Sequence, residues 1–234
     1  MSTSLLDQSL GQIACDIPGA TRIFHHYHID FCCGGRLSLR VAMQEKGIAP
    51  DEIVKALEQA RLQADSEPSS TDWRSRPVSE LIDHIEQRFH ETHRAQLPEL
   101  IRLARRVEQR HIDNTACPLG LSDALEALQQ ELESHMYKEE RVLFPMLKQG
   151  ADLVAQNPIA VMRLEHDHHG DNLDDILLLT NQLHLPVGAC NTWAALYTGL
   201  EQFKTDLMEH IHLENNVLFM ASSTRAQGDH HEGV

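Results

Sequence analysis

Aromatic residues are scarce in this chain of 234 residues, at 5% of its composition. Basic residues are few as well: 20 Lys and Arg stand against 35 Asp and Glu, a formal net charge of −15 with His neutral. A nucleic-acid binder needs a basic face to neutralise phosphates, and an anionic membrane surface asks for the same. Neither partner is expected. The sequence has no apolar run long enough for a membrane-spanning helix, which takes roughly 18 residues or more. Its start, MSTSLLDQSLGQIACDI, lacks a basic region and a long apolar stretch, so no secretory leader is expected and the compartment reads as cytoplasmic. The 5 Cys are odd in number and irregularly spaced, which argues against a disulfide scaffold. What the chain does have is long stretches rich in Leu, Ala, Gln and Glu, which favour helix. It also has 16 His, and that excess raises the question of a metal.

Composition divides the chain. Residues 65–77, DSEPSSTDWRSRP, are rich in Ser and Pro without hydrophobic periodicity and read as a linker. Before them, residues 1–64 form a small helical domain whose short helices are punctuated by Pro18, Gly34, Gly35, Gly47 and Pro50. After them the pattern lengthens. One helix is expected from Pro77 to about His111, bent near Pro98. A second starts with Ser122 as cap and stops at Gly150. A third starts at Asn157-Pro158 and ends before Pro186. A fourth runs from Asn191 or Thr192 to Phe219. The expected fold is all-α: the small N-terminal domain, then an antiparallel four-helix bundle over 78–221, with a polar, disordered tail over 222–234.

Two stretches of the bundle repeat each other. Residues 131–145, ELESHMYKEERVLFP, and 206–220, DLMEHIHLENNVLFM, agree without gaps at Leu132/Leu207, His135/His210, Glu139/Glu214, Val142/Val217, Leu143/Leu218 and Phe144/Phe219. Both carry His-x-x-x-Glu, and a spacing of four puts both side chains on one helical face. The other two helices echo each other more weakly, HETHRAQL at 90–97 and HDHHGDNL at 166–173. His90 lies 45 residues before His135 and His166 lies 44 before His210. The pattern is therefore two helix pairs, each offering a His and then His-x-x-x-Glu. It selects His90 over His84, which sits about a third of a turn away around the helix.

Leu128, Leu132, Val142, Leu143 and Met146 share the stripe of His135 and Glu139; Phe203, Leu207, Val217 and Leu218 share that of His210 and Glu214. The ligand candidates therefore face the core. Desolvating each unpaired ion costs several kcal/mol, against a total stability of roughly 5–15 kcal/mol, and a pair of divalent cations supplies the compensation. Four imidazoles and two carboxylates without thiolate suit iron or manganese better than structural zinc. A ferritin-like alternative needs Glu-x-x-His on two helices. Glu165-x-x-His168 and Glu209-x-x-His212 match it by letter, but the second helix has no such motif.

With these motifs in hand, the chain resembles the hemerythrin-like fold and, more narrowly, the iron-sulfur cluster repair family of di-iron proteins (RIC, the YtfE/ScdA-like proteins). The resemblance rests on DFCCGG at 30–35, DWRS at 72–75, QLPEL at 96–100, SHMYKEERVLFPMLKQG at 134–150, EHD at 165–167 and HIHLENNVLF at 210–219. Carried over position by position, it puts the iron ligands on His90, His135, Glu139, His166, His210 and Glu214, the set the repeat selects. It implies two iron ions per chain, oxo- or hydroxo-bridged and Glu-bridged, with Glu131 and Glu165 lining access to them. The chain departs from oxygen-carrying hemerythrins in two places. Gly170 stands where those have a further His, and Glu214 lies four residues beyond its His rather than five.

In the small domain His25, His26, His28, Asp30, Cys32 and Cys33 crowd together, and the paired thiols suit transient iron holding or redox exchange. The resemblance marks CCGG as an accessory-domain signature and makes Cys32 and Cys33 candidate functional residues. It implies repair of iron-sulfur clusters damaged by nitric oxide or oxidants, by iron donation, by nitric oxide chemistry at the di-iron site, or both. The partners are then damaged iron-sulfur proteins, with nitric oxide or oxygen species as small ligands. A homodimer is compatible with the linker's reach. The rival reading is a hemerythrin-like module that senses or stores nitric oxide, oxygen or iron without turnover.

Overall fold

The computed structural model describes residues 4–64 and 72–228. Among the described residues the chain is helical with no strand, only an isolated antiparallel bridge between Ser9 and Ser38. The fold is all-α, as expected. The chain divides into two compact units, Met1–Leu81 with Met208–Val234, and Ile82–Leu207.

In the first unit, helices span Leu10–Asp16, Ala20–His26, Leu39–Lys46 and Pro50–Ala64. Each start and stop has a local cause. The Ser9 and Ser38 side chains accept from the backbone N–H of Gln12 and Val41, satisfying donors that a helix start leaves orphaned. Gly47 closes the third of these helices in the left-handed region, at φ 66°. Pro50 opens the fourth, with Asp51 and Glu52 in its first turn. The apolar faces bury Leu10, Ile13, Phe24, Phe31, Leu39, Met43, Ile53 and Leu57, and Met208 packs against this core. Fully burying one such side chain contributes roughly 1.5–3 kcal/mol.

The segment expected as a linker is partly ordered. Residues 65–71 lie outside the described residues, but Trp73–Ser75 forms a turn capped by the Asp72 side chain. Arg74 holds that turn in place, donating to the Asp16 carboxylate and to the Cys15 carbonyl.

Four long helices follow, and their stretch from Ile82 to Leu207 makes up the second unit. The first runs over Val78–Ile85, Glu86–His90 and Glu91–His111, and the second over Leu121–Lys138, Glu139–Leu143 and Phe144–Lys148. The third is Asp152–Leu179, and the fourth, Asn191–His212, begins a few residues beyond Pro186. Arg94 bonds Glu133 between the first and second helices, and Asn172 bonds Glu131 between the second and third. Phe203 meets the His93 ring edge-on at 5.4 Å, closing the fourth helix on the first. There the helices approach closely: a Cβ on Gly199 would stand 2.8 Å from Leu100 Cδ2.

Three expected boundaries move. The third helix starts at Asp152, with Pro158 inside it rather than at its first position. Proline so near a helix start removes only one backbone bond, to a carbonyl of the first turns. Ser122 is not a cap: Gly120, at φ 91°, precedes the second helix, and the Ser122 hydroxyl donates to Glu108 Oε2 at 2.6 Å. The tail expected to be disordered from 222 is helical through Gly228, because helix Phe219–Gly228 buries Ser222 and Ala226. Residues 229–234 lie outside the described residues.

No sequence pattern announced the three π-helical turns, at Glu86–His90, Glu139–Leu143 and Leu213–Leu218. Such a turn adds a residue to the helical repeat and rotates the helix beyond it. Val142, expected on the inner stripe, is consequently 46% exposed, whereas Leu143 is buried.

Candidate metal centre

Each π-turn carries one candidate ligand: His90 ends the first, Glu139 begins the second and Glu214 lies in the third. In the second unit, four buried side chains converge. His90 Nε2 stands 3.5 Å from Glu139 Oε2, and His135 Nε2 stands 3.4 Å from Glu139 Oε1. His166 Nε2 is 3.0 Å from His135 Nε2. On the helix that continues past His212, His210 Nε2 and Glu214 Oε1 are 3.2 Å apart and both residues are buried.

Two groups of these side chains can each hold a metal ion. One is His90, Glu139, His210 and Glu214; the other is His135, Glu139, His166 and Glu214; within each, one ligand atom per residue lies within 4.8 Å of all the others. Both carboxylates, Glu139 and Glu214, belong to both groups. All six residues are buried.

The imidazoles are aimed from behind. His90 Nδ1 bonds Glu140 Oε1 at 2.8 Å, and His135 Nδ1 bonds Glu165 Oε2 at 2.8 Å. A carboxylate at Nδ1 fixes the tautomer and leaves the Nε2 lone pair for a cation, the habitual support of a metal-ligating His. Glu140 is in turn held by Arg94, and Glu165 by Lys138. The hydrogen bond with His135, opposed by partial burial and helped by Lys138, pulls the Glu165 carboxyl down to about 2.

The donor set fits a hard-to-borderline cation. It holds imidazole and carboxylate and no sulfur, which favours iron or manganese over a structural zinc site. Spacing agrees: two nitrogens about 2.1 Å from one ion and at right angles around it stand about 3.0 Å apart, the separation of the His135 and His166 nitrogens.

Other sequence-selected residues lie apart from these two groups. His84 sits edge-on to Phe89 at 5.7 Å, its pKa lowered by burial and by Arg88. Glu131 bonds Asn172 at 2.7 Å and pairs with His168 at 3.3 Å. His168 and His212, the histidines of the ferritin-like alternative, belong to neither group. Cys32 is buried and Cys33 half-buried in the first unit, with sulfurs 3.9 Å apart. All five cysteines are thiols.

Sequence reasoning missed Glu140 and Arg94; it set His93 opposite His169 in the weaker echo without giving them a role, and both are buried, the latter edge-on to His135 at 5.0 Å. It also missed Asn215 and Asn216, whose side-chain amides donate to the carbonyls of Cys32 and Phe31 at 3.1 Å each. One signal was available: in the gapless repeat Asn215 and Asn216 stand opposite Glu140 and Arg141, so the copies diverge where their partners differ.

Residues 81–222 match the Hemerythrin HHE cation binding domain, and residues 6–61 match a domain of unknown function, DUF542. The chain is 50% identical over 214 residues to the iron-sulfur cluster repair protein YtfE of Pectobacterium atrosepticum, covering 91% of this chain and 95% of that one. It is 49% identical to a probable iron-sulfur cluster repair protein of Haemophilus influenzae, over 92% of this chain and 96% of that one. It is also 49% identical to YtfE of Dickeya chrysanthemi, over 91% and 95% of the respective chains.

Proposed function

The chain belongs to the hemerythrin HHE family and, within it, to the iron-sulfur cluster repair proteins, and from that premise we propose that it repairs iron-sulfur clusters damaged by nitric oxide or oxidants with a pair of irons held by His90, His135, Glu139, His166, His210 and Glu214. The observation that carries the reading is the pair of buried four-residue groups sharing both carboxylates. His90 and His210 would hold one ion and His135 and His166 the other, with Glu139 and Glu214 within reach of either. Iron bound there supplies redox chemistry and open positions for a small ligand such as nitric oxide, and in donation it is the cargo.

The chain's own residues do the rest. Glu140 and Glu165 keep the Nδ1 protons of His90 and His135 pointed outward, so both rings present Nε2 to a cation. Burial of all six ligands keeps bulk water from them. Glu131 and Glu165, on the second and third helices, line the access route. Only four imidazoles are offered to two ions, a donor set that would leave room for an exogenous ligand. The client is a damaged iron-sulfur protein, and the expected site of action is the cytoplasm. Among the described residues no helix is long and apolar enough to cross a membrane.

Reactivation of a nitrosylated cluster enzyme tests the reading. The iron-loaded protein should restore activity, and the His135→Ala/Glu139→Ala variant should not. Restoration that needs nitric oxide still present marks nitric oxide chemistry; restoration after its removal marks donation. If the loaded protein binds nitric oxide reversibly and restores nothing, it is a store or sensor and repair is wrong.

A further inference from the structure

The first unit holds a third group of metal-ligating side chains, on the turn between helices Ala20–His26 and Leu39–Lys46. We propose that Asp30, Cys32 and Cys33 form a second, open site for a thiophilic divalent cation; that its cargo is ferrous iron rests on the repair reading above. One ligand atom from each of the three residues lies within 4.8 Å of the other two.

The spacing suits one ion. Two thiolates about 2.3 Å from a tetrahedral cation stand about 3.8 Å apart, and the Cys32 and Cys33 sulfurs are 3.9 Å apart. Cys32 Sγ lies 3.2 Å from Asp30 Oδ1, where an oxygen about 2.1 Å from the same ion would stand about 3.6 Å from each sulfur. A shift of a few tenths of an ångström converts a thiol donating to a carboxylate into two ligands of one cation.

The turn is built before any ion arrives. Asp30 Oδ1 accepts from the backbone N–H of Cys32 at 3.1 Å and of Cys33 at 3.0 Å, and Asp30 Oδ2 accepts from that of Gly34 at 2.9 Å. Asn215 and Asn216 pin the carbonyls on either side of the Phe31–Cys32 bond. A Cβ on Gly34 would fall 2.7 Å from the Asp30 carbonyl, so the chain can close on Asp30 only with glycine there. Preorganisation of this kind lowers the ordering cost of binding.

Binding keeps a fixed balance: one M²⁺ displaces the protons of both thiols, two protons leave, and no electron moves. Asp30 is exposed and Cys33 half-buried, while Cys32 is buried. The site is therefore open on one side, suited to taking an ion and passing it on rather than to storing it.

The test uses the full chain with its bundle loaded with iron, kept anaerobic and reduced, and titrated with Co²⁺. Cobalt-thiolate charge transfer in the near ultraviolet should rise to one equivalent per chain, with two protons released per cobalt. Cys32→Ser/Cys33→Ser should abolish the band. Asp30→Asn, which keeps an oxygen to accept from the Cys32 and Cys33 N–H groups and gives up only the bond from Gly34, should weaken cobalt binding at least tenfold without unfolding the turn. The His135→Ala/Glu139→Ala variant should keep the band, because imidazole and carboxylate give no such transition. Failure of the iron site and failure of the thiol site are thus read separately. Absence of the band in the intact protein, or its survival in the double Ser variant, overturns the proposal.

Discussion

Glu165→Gln isolates what a carboxylate behind a ligand does. Glu165 Oε2 accepts from His135 Nδ1 at 2.8 Å, and its other oxygen bonds Lys138. Glutamine keeps the shape and still offers an oxygen to Nδ1, but it removes the charge. A hydrogen bond to an ionised acceptor is roughly twice as strong as a neutral one, and the loss falls on the basicity of Nε2. Removing such a support typically weakens metal binding about 10–100-fold, which is about 1.4–2.7 kcal/mol. The metal-free fold should barely respond, since the Glu165 side chain is 28% exposed and its pair with Lys138 lies at the surface. Only one of the two ions should be affected, because His135 and His90 belong to different groups. Competition of the iron-loaded protein against a chelator should therefore become biphasic, one iron leaving at roughly 10–100-fold lower chelator and the other as in wild type. Glu140→Gln should do the same to the ion served by His90. Glu133→Gln is the control: it bonds Arg94 but no histidine. If Glu165→Gln holds both irons within twofold of wild type, the carboxylate is a surface group that happens to lie near His135.

Gly35→Ala would place a Cβ 2.3 Å from Asn216 Oδ1 and 2.8 Å from the Phe31 carbonyl, so it should destabilise by about 1–3 kcal/mol in urea; an unchanged midpoint would deny the close approach. His90→Ala should lower iron content while His84→Ala keeps it, and iron analysis in the reverse order would reassign the first-helix ligand. Hydrogen bonding from His111, then from the backbone of Trp193 and Thr192, lowers the Cys190 thiol to about 7, whereas burial pushes Cys15 up to about 11. Iodoacetamide should accordingly modify Cys190 first, with a rate that rises through pH 7 as the thiolate forms; a midpoint near 9 read by mass spectrometry would contradict the His111 contact. The linkage has the matching sign: a lowered native pKa adds stability as pH rises from about 7 towards 9, and none below.

Much of the four-helix stretch was legible because it repeats. The alignment of 131–145 with 206–220 selected His135, Glu139, His210 and Glu214 as candidates from spacing alone, the weaker echo added His90 and His166, and these are the side chains that fall into the two groups. Helix existence was legible for a similar reason, since long amphipathic runs leave few alternatives. Illegible were features that spacing does not encode. A π-turn is an extra residue inside an otherwise regular helix, so Val142 read as inward and faces out. Glu140 looked like any charged residue of a helix surface; only the folded chain shows its carboxylate behind His90. Pro158 reads as a helix start by local rule, yet the preceding turn from Asp152, which is buried, overrides it. The ordered turn at Asp72 depends on one arginine finding Asp16 across 58 residues of sequence.

Removing the metal should show how far the fold leans on it. The six buried residues proposed as ligands, two ionisable carboxylates among them, make a poor core when no cation compensates. A helix with π-turns gives up regular backbone bonding, and such turns often sit at functional sites; here all three carry a proposed ligand. Each ion present at 100 times its dissociation constant adds about 2.7 kcal/mol to stability, and two add about 5 kcal/mol if they act independently. In a chain of this size each kcal/mol moves the melting temperature by roughly 2–4 °C. Chelation should therefore lower the melt by about 10–20 °C, and hydrogen exchange should quicken first at Glu86–His90, Glu139–Leu143 and Leu213–Leu218. The same coupling bears on donation: a chain that hands over iron loses the ions that stabilise its own core, so a strongly stabilising site makes a reluctant donor. If the iron-free protein melts within about 2 °C of the loaded one, the six buried residues are satisfied among themselves, and the coupling of metal to fold is wrong.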